Sequence, residues 1–123
     1  MNVNKQKFVS VIIPVFNDTE KLQLCLKALE NQTYPQELYE IIVIDNNSDR
    51  NITEVTKQFK QVSLTQESKR GSYAARNQGI KIARGDLLAF TDSDCIPTAN
   101  WLENGVNKLL LVSNCGIVAG KID

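Results

Sequence analysis

Three short aliphatic runs, each closing on polar residues, constrain this chain more than any other feature. They are FVSVIIP at Phe8–Pro14, IIVID at Ile41–Asp45 and LLAFT at Leu87–Thr91. Each is apolar at successive positions, as strands are when a parallel sheet is covered on both faces. Between the first two lies a helical stripe, Leu22, Cys25, Leu26 and Leu29, at i, i+3, i+4 and i+7. Asn17 and Glu20 have the spacing of a helix cap and its third-position partner, and Tyr34-Pro35 closes that region. After the second run, Asn46, Asn47, Ser48 and Asp49 read as turn and cap residues, followed by a short helix with Ile52, Val55 and Phe59 on one side. Val62–Thr65 predicts a weaker strand. Ser72–Ala83 predicts a helix rich in small residues, closed by Gly85. Asn100 and Glu103 repeat the cap spacing ahead of an apolar stripe at Leu102, Val106, Leu109 and Leu110, and Ile117–Ala119 predicts a fifth strand.

Strands alternating with helices at these intervals predict βαβ units, hence an α/β fold with a mainly parallel sheet and helices on its faces. The length of 123 residues predicts one domain, residues 1–123. Apolar residues at 42% are enough to support a packed core, which argues against disorder. Basic and acidic residues balance at 14 each, so the net basic footprint of a nucleic-acid binder is missing. No apolar run approaches the roughly 20 residues of a membrane span. Met1–Lys7 is polar, without the apolar core of a secretory signal. These features predict a cytoplasmic location, peripheral to the inner membrane surface if a partner or further segment holds it there. The chain has no histidine, which removes histidine catalysis and ligation. Cys25, Cys95 and Cys115 form no C-x-x-C pair. An odd count fits a reducing compartment. Cys25 and Cys115 read as packing residues and Cys95 as a small spacer.

In such sheets ligands bind beyond the carboxyl ends of the strands, where strand order reverses. The polar residues gather at those ends. Asp92-Ser93-Asp94 follows the fourth strand, and two carboxylates two residues apart can bind a hard cation such as Mg²⁺ or Mn²⁺. The competing reading is a turn with helix-capping aspartates. Asp45 ends the second strand and can accept hydrogen bonds from a base N–H or a ribose hydroxyl, or simply begin a turn or cap a helix. Lys69-Arg70-Gly71 precedes a predicted helix whose first N–H groups and dipole would favour an anion. The plain alternative there is a solvated loop. Ala74 and Ala75 would let that helix pack closely on the sheet. Neither G-x-G-x-x-G nor the P-loop pattern is present.

The blocks VSVIIPVFND (Val9–Asp18), IIVIDNNSD (Ile41–Asp49), YAARNQGIKIARGDLLAFTDSDCIP (Tyr73–Pro97) and WLE (Trp101–Glu103) together resemble glycosyltransferase family 2. The resemblance implies a Rossmann-like GT-A three-layer sandwich, incomplete at its C-terminus, that uses a nucleotide-diphosphate sugar, with a UDP-sugar expected. By the same resemblance Pro14, Phe16 and Asn17 belong to the loop after the first strand, bordering the base. Asp45 contacts the base, and Arg70 and Arg76 fall in the segment lining the nucleotide site. Asp92 lies near the ribose with Ser93, and Asp94, with Asp92, binds Mn²⁺ or Mg²⁺. The implied reaction is metal-dependent transfer of the sugar, with inversion, to a hydroxyl of a carbohydrate or lipid-linked acceptor. The acceptor base of this family comes from a later segment, so it is expected beyond Asp123. Neither Glu103 nor Asp123 is assigned that role, and a later metal ligand, often histidine, is not in this sequence. The chain then reads as the donor-binding part. A non-catalytic nucleotide- or protein-binding fragment is the competing class. A nucleotidyltransferase would need an early phosphate-cradling Gly/Lys loop, which Val15–Thr19 does not offer.

Overall fold

The computed structural model describes residues 7–108, 111–113 and 116–120. Val9–Val15 forms β1, Thr19–Glu30 α1, Tyr39–Asp45 β2, Thr53–Thr56 α2, Val62–Gln66 β3, Ser72–Ile82 α3, Leu87–Phe90 β4 and Trp101–Lys108 α4. Leu111–Ser113 and Gly116–Gly120 form β5 and β6. The six strands lie in the order β3-β2-β1-β4-β6-β5. The pairs β1–β2, β1–β4 and β2–β3 are parallel. β6 runs antiparallel to both β4 and β5, so it alone opposes the other five. Ser113 of β5 pairs with Gly116 of β6 in that antiparallel register. Gly116, at φ 143°, serves that geometry, and a Cβ there would collide with the Phe90 carbonyl.

Alternation along the strands sorts the core into two layers. Val9, Val11, Ile13 and Val15 of β1, with Ile41 and Val43 of β2, face α1, α2 and α4. Leu22, Cys25, Leu26 and Leu29 of α1 are all buried against them, as the stripe predicted. Ile12, Ile42 and Ile44 turn to the other face and meet Ala75 of α3. α3 sits low on that face because Gly79 has no side chain: a Cβ there would stand 2.7 Å from Ile12 Cγ2 and 2.9 Å from Ile44 Cδ1. Of the two alanines expected to allow close packing, Ala75 is buried and Ala74 only partly so. Among the described residues no helix is long and apolar enough to cross a membrane.

Several local expectations are corrected. Asn17 and Glu20 do not form a capping pair: α1 starts at Thr19 behind Asp18, which makes no side-chain cap bond, and the Asn17 side chain is engaged elsewhere. Glu103 does not pair back with Asn100 but accepts the Thr33 hydroxyl at 2.7 Å. The helix around Ile52, Val55 and Phe59 is only four residues long, although all three side chains are buried. Gly85 does not close α3, which ends at Ile82. Glycine is needed there because a Cβ would lie 2.6 Å from the Ser10 nitrogen. β5 was not foreseen, and the expected fifth strand is the antiparallel β6. Leu109, Leu110, Cys115 and Asp123 lie outside the described residues.

Ser10 is the fully buried hub at the amino-terminal edge of the sheet. Its hydroxyl donates to Glu40 Oε2 at 2.6 Å and accepts the Gly85 N–H at 2.8 Å. Arg84 adds its backbone N–H at 2.9 Å, and its guanidinium bonds Glu40 Oε1 at 3.2 and 3.1 Å. Burial alone would raise the Glu40 carboxyl, but the Ser10 hydroxyl and the Arg84 bonds outweigh it and hold it below its ordinary value.

Candidate functional site

At the opposite edge of the sheet, the chain runs outward from β1 to β2 and β3, then returns to β4 on the other side of β1. That reversal opens a crevice beyond the carboxyl ends of β1 and β4. Pro14 marks its floor. It lies inside β1, opposite Ile44 of β2, rather than in the following loop. The β1–β4 ladder ends at Ile12 and Phe90, with one last bond from the Thr91 N–H to the Ile12 carbonyl at 3.3 Å. The N–H that proline lacks therefore falls where no ladder partner remains.

The loops after β1 and β2 are tied together by side chains. Asp45 is 8% exposed, and its Oδ1 accepts the Ser48 N–H at 2.9 Å. Ser48 Oγ in turn accepts the Asn17 N–H at 2.7 Å. Asn17, in the left-handed region at φ 62°, accepts the N–H groups of Asp49 at 2.6 Å and Arg50 at 3.3 Å on its Oδ1. The turn-forming reading of Asp45 is thus realised on one oxygen, and its Oδ2 takes no hydrogen bond among the described residues.

Asn46 and Asn47 bind the segment before α3. Asn46 Nδ2 donates to the carbonyls of Glu67 and Lys69, Asn46 Oδ1 accepts the Gly71 N–H, and Asn47 Nδ2 donates to the Ser68 carbonyl. Sequence reasoning saw only turn formers here, and the one signal was the position of an Asn pair straight after a strand. Gly71, at φ 107°, then turns the chain into α3. Phe16, 60% exposed, and Arg70 line a cavity of about 320 Å³ together with Asn46, Asn47, Asp49 and Gly71.

A second cavity of about 500 Å³ lies between α3 and the β4–β6 side of the sheet. Tyr73, Arg76, Asn77 and Ile80 of α3 line one wall, and Phe90, Asp92 and Ile117 are among the residues opposite. Arg76 reaches Asp92 Oδ1 at 3.4 Å, an open ion pair that contributes little stability. Asp92 and Asp94 are exposed while Ser93 between them is nearly buried, so the turn presents both carboxylates to solvent. The Asp92 carbonyl accepts the Cys95 N–H at 3.1 Å, closing the turn. Among the described residues no group of three or more acidic, cysteine or histidine side chains could hold a metal by itself. Two exposed carboxylates fit a Mg²⁺-like ion that fills its remaining positions with water and phosphate oxygens.

The structure therefore gathers Phe16, Asn17, Asp45 and Arg70 around one end of the rim, and Arg76, Asp92, Ser93 and Asp94 around the other. The whole edge offers carboxylates for N–H and hydroxyl donors, two arginines for an anion, and an exposed aromatic face.

Known proteins share this framework. The glycosyltransferase AglE of Haloferax volcanii is 44% identical over 123 residues, covering 94% of this chain and 40% of its own length. A Methanococcus voltae protein, named a dolichyl N-acetyl-alpha-D-glucosaminyl phosphate 3-beta-D-2,3-diacetamido-2,3-dideoxy-beta-D-glucuronosyltransferase, is 33% identical, covering 80% of this chain and 33% of its own length. Among solved structures, the mannosyltransferase PcManGT of Pyrobaculum calidifontis, in complex with GDP-Man and Mn²⁺, superposes with a TM-score of 0.78 at 26% identity. That match covers 85% of this chain and 32% of the mannosyltransferase. The chain thus spans two-fifths or less of the length of these relatives, and its fold is the GT-A fold of the solved glycosyltransferases. Residues 10–122 match the model of glycosyl transferase family 2, and the chain belongs to that family.

Proposed function

We propose that this chain binds a nucleotide-diphosphate sugar, a UDP-sugar by the resemblance at Asp45, as the donor-binding part of an inverting glycosyltransferase. The observation that carries the proposal is the convergence of Asp45, Asp92, Asp94 and Arg76 on one rim at the strand-order reversal. Asp45 Oδ2 accepts an N–H of the base, and Phe16 offers its ring face. Arg70 and Arg76 neutralise the phosphates, with Arg76 exchanging its loose contact to Asp92 for a phosphate oxygen. Asp94 and Asp92 would hold a divalent cation, which when bound supplies Lewis-acid stabilisation of the charge on the leaving diphosphate. That PcManGT is in complex with Mn²⁺ supports a divalent metal without choosing between Mn²⁺ and Mg²⁺. The acceptor hydroxyl attacks the anomeric carbon from the face opposite the diphosphate. Its proton goes to a carboxylate base that we place outside this chain, in the remainder of a protein of the relatives' length. A lipid-linked acceptor is in keeping with the dolichyl-linked substrate in the Methanococcus relative's name.

Thermal unfolding with UDP and GDP, with and without Mn²⁺, tests the proposal on wild type and Asp94→Ala. A ligand at about 100 times its dissociation constant stabilises by roughly 2.7 kcal/mol, a shift of several degrees for a domain of this size. A UDP shift that requires Mn²⁺ and is lost in Asp94→Ala is expected. A cooperatively folded wild type with no shift for any nucleoside diphosphate would contradict it.

A further inference from the structure

The Asn46 side chain makes three hydrogen bonds, all to the segment before α3. Nδ2 donates to the Glu67 carbonyl at 2.9 Å and the Lys69 carbonyl at 2.7 Å, and Oδ1 accepts the Gly71 N–H at 3.0 Å. Both donors of the carboxamide and one acceptor position are thereby used. The Asn46 N–H is itself held by the Val15 carbonyl at 2.9 Å, so the clasp is anchored to the end of β1. Asn47, at φ 65°, adds a bond to the Ser68 carbonyl at 2.6 Å. The clasped segment carries two cations, Lys69 and Arg70, and of these Arg70 lines the Phe16 cavity. Arg76 and Arg84 each pair with a carboxylate, whereas among the described residues the Arg70 guanidinium has no ion pair or hydrogen bond.

We infer that Asn46 is a positioning residue for donor binding: its carboxamide fixes residues 67–71 so that Arg70 stands at the Phe16 cavity, set to pair with the phosphates of a nucleoside diphosphate. The inference rests on the proposed function and adds to it the group that organises the cation before the ligand arrives. Ordering the backbone in advance lowers the entropy lost on binding. Asn46→Asp should weaken the clasp, because it places an oxygen against the two carbonyls that now accept N–H groups.

The test is a double-mutant cycle, measuring UDP with Mn²⁺ by titration calorimetry and uridine by ligand-detected NMR. Wild type, Asn46→Ala, Arg70→Ala and the double variant are compared. Asn46→Ala should weaken UDP about tenfold while leaving uridine nearly unchanged. The double variant should bind UDP no more weakly than Arg70→Ala alone, because the clasp acts through the arginine. Equal losses for uridine and UDP, or losses that add in the double variant, would overturn the inference while leaving the donor site standing. A wild type that binds no nucleoside diphosphate would overturn the proposed function and the inference together. Should Asn46→Ala fail to unfold cooperatively, Asn47→Ala takes its place in the cycle, with a smaller effect of the same sign expected.

Discussion

At Asn17 the backbone enters the left-handed region and the side chain accepts two N–H groups from the neighbouring loop. Asn tolerates that conformation better than other residues with a Cβ. Asn17→Ala therefore removes both accepted bonds and adds backbone strain, and should cost about 2 kcal/mol in urea unfolding. Asn17→Gly, which relieves the strain but not the lost bonds, should cost less. Glu40, at the far edge, gives a pH signature. Its folded carboxyl lies below the ordinary 4.5 because the Ser10 and Arg84 bonds outweigh burial. Its stabilisation is therefore complete above the unfolded value near pH 4.5 and is lost as pH falls through the lowered folded value. Glu40→Gln should lower stability at neutral pH and flatten this acid limb, as read from denaturant melts at several pH values. The acidic residues of the candidate site were legible as single positions because each ends or follows a strand. The ties between their loops were not: the bond that the Asn17 N–H donates to Ser48 Oγ spans 31 residues, and no local pattern encodes it.

Among the elements, α3 packs closely on the sheet. Its sheet-facing side is Ala75 and Gly79, and the missing side chain at Gly79 lets Ile12 and Ile44 approach. Gly79→Leu should lift the helix and destabilise the fold by about 3 kcal/mol, the upper end of the usual overpacking cost. It should also weaken UDP binding, because Arg76 lies on the same helix. Thermal melts and the UDP titration read the two effects separately. β1, β2 and β4 and the buried face of α1 were readable from periodicity, since burial imposes the pattern directly. β5 escaped because three residues carry too little period to distinguish a strand from a helical stripe. Gly85 was misassigned for a different reason. A glycine near a helix end reads as a stop signal, whereas here the cause is Ser10, brought against it by β1.

Over the whole molecule, one sheet holds two opposite edges with different tasks. The amino-terminal edge closes on the Ser10–Glu40–Arg84 cluster. The carboxyl-terminal edge leaves carboxylates, arginines and an aromatic face open at the strand-order reversal. The antiparallel β6 continues the sheet beyond β4 and places Ile117 across from α3, forming the larger cavity beside Asp92. Whether this open edge is a nucleotide-sugar site can be seen in a crystal structure of the chain grown with UDP and Mn²⁺. The base is expected between Phe16 and Asp45, the diphosphate at Arg70 and Arg76, and the metal on Asp94. A nucleotide bound away from the carboxyl ends of β1, β2 and β4, or a metal on the diphosphate with neither Asp92 nor Asp94 as ligand, would contradict that assignment.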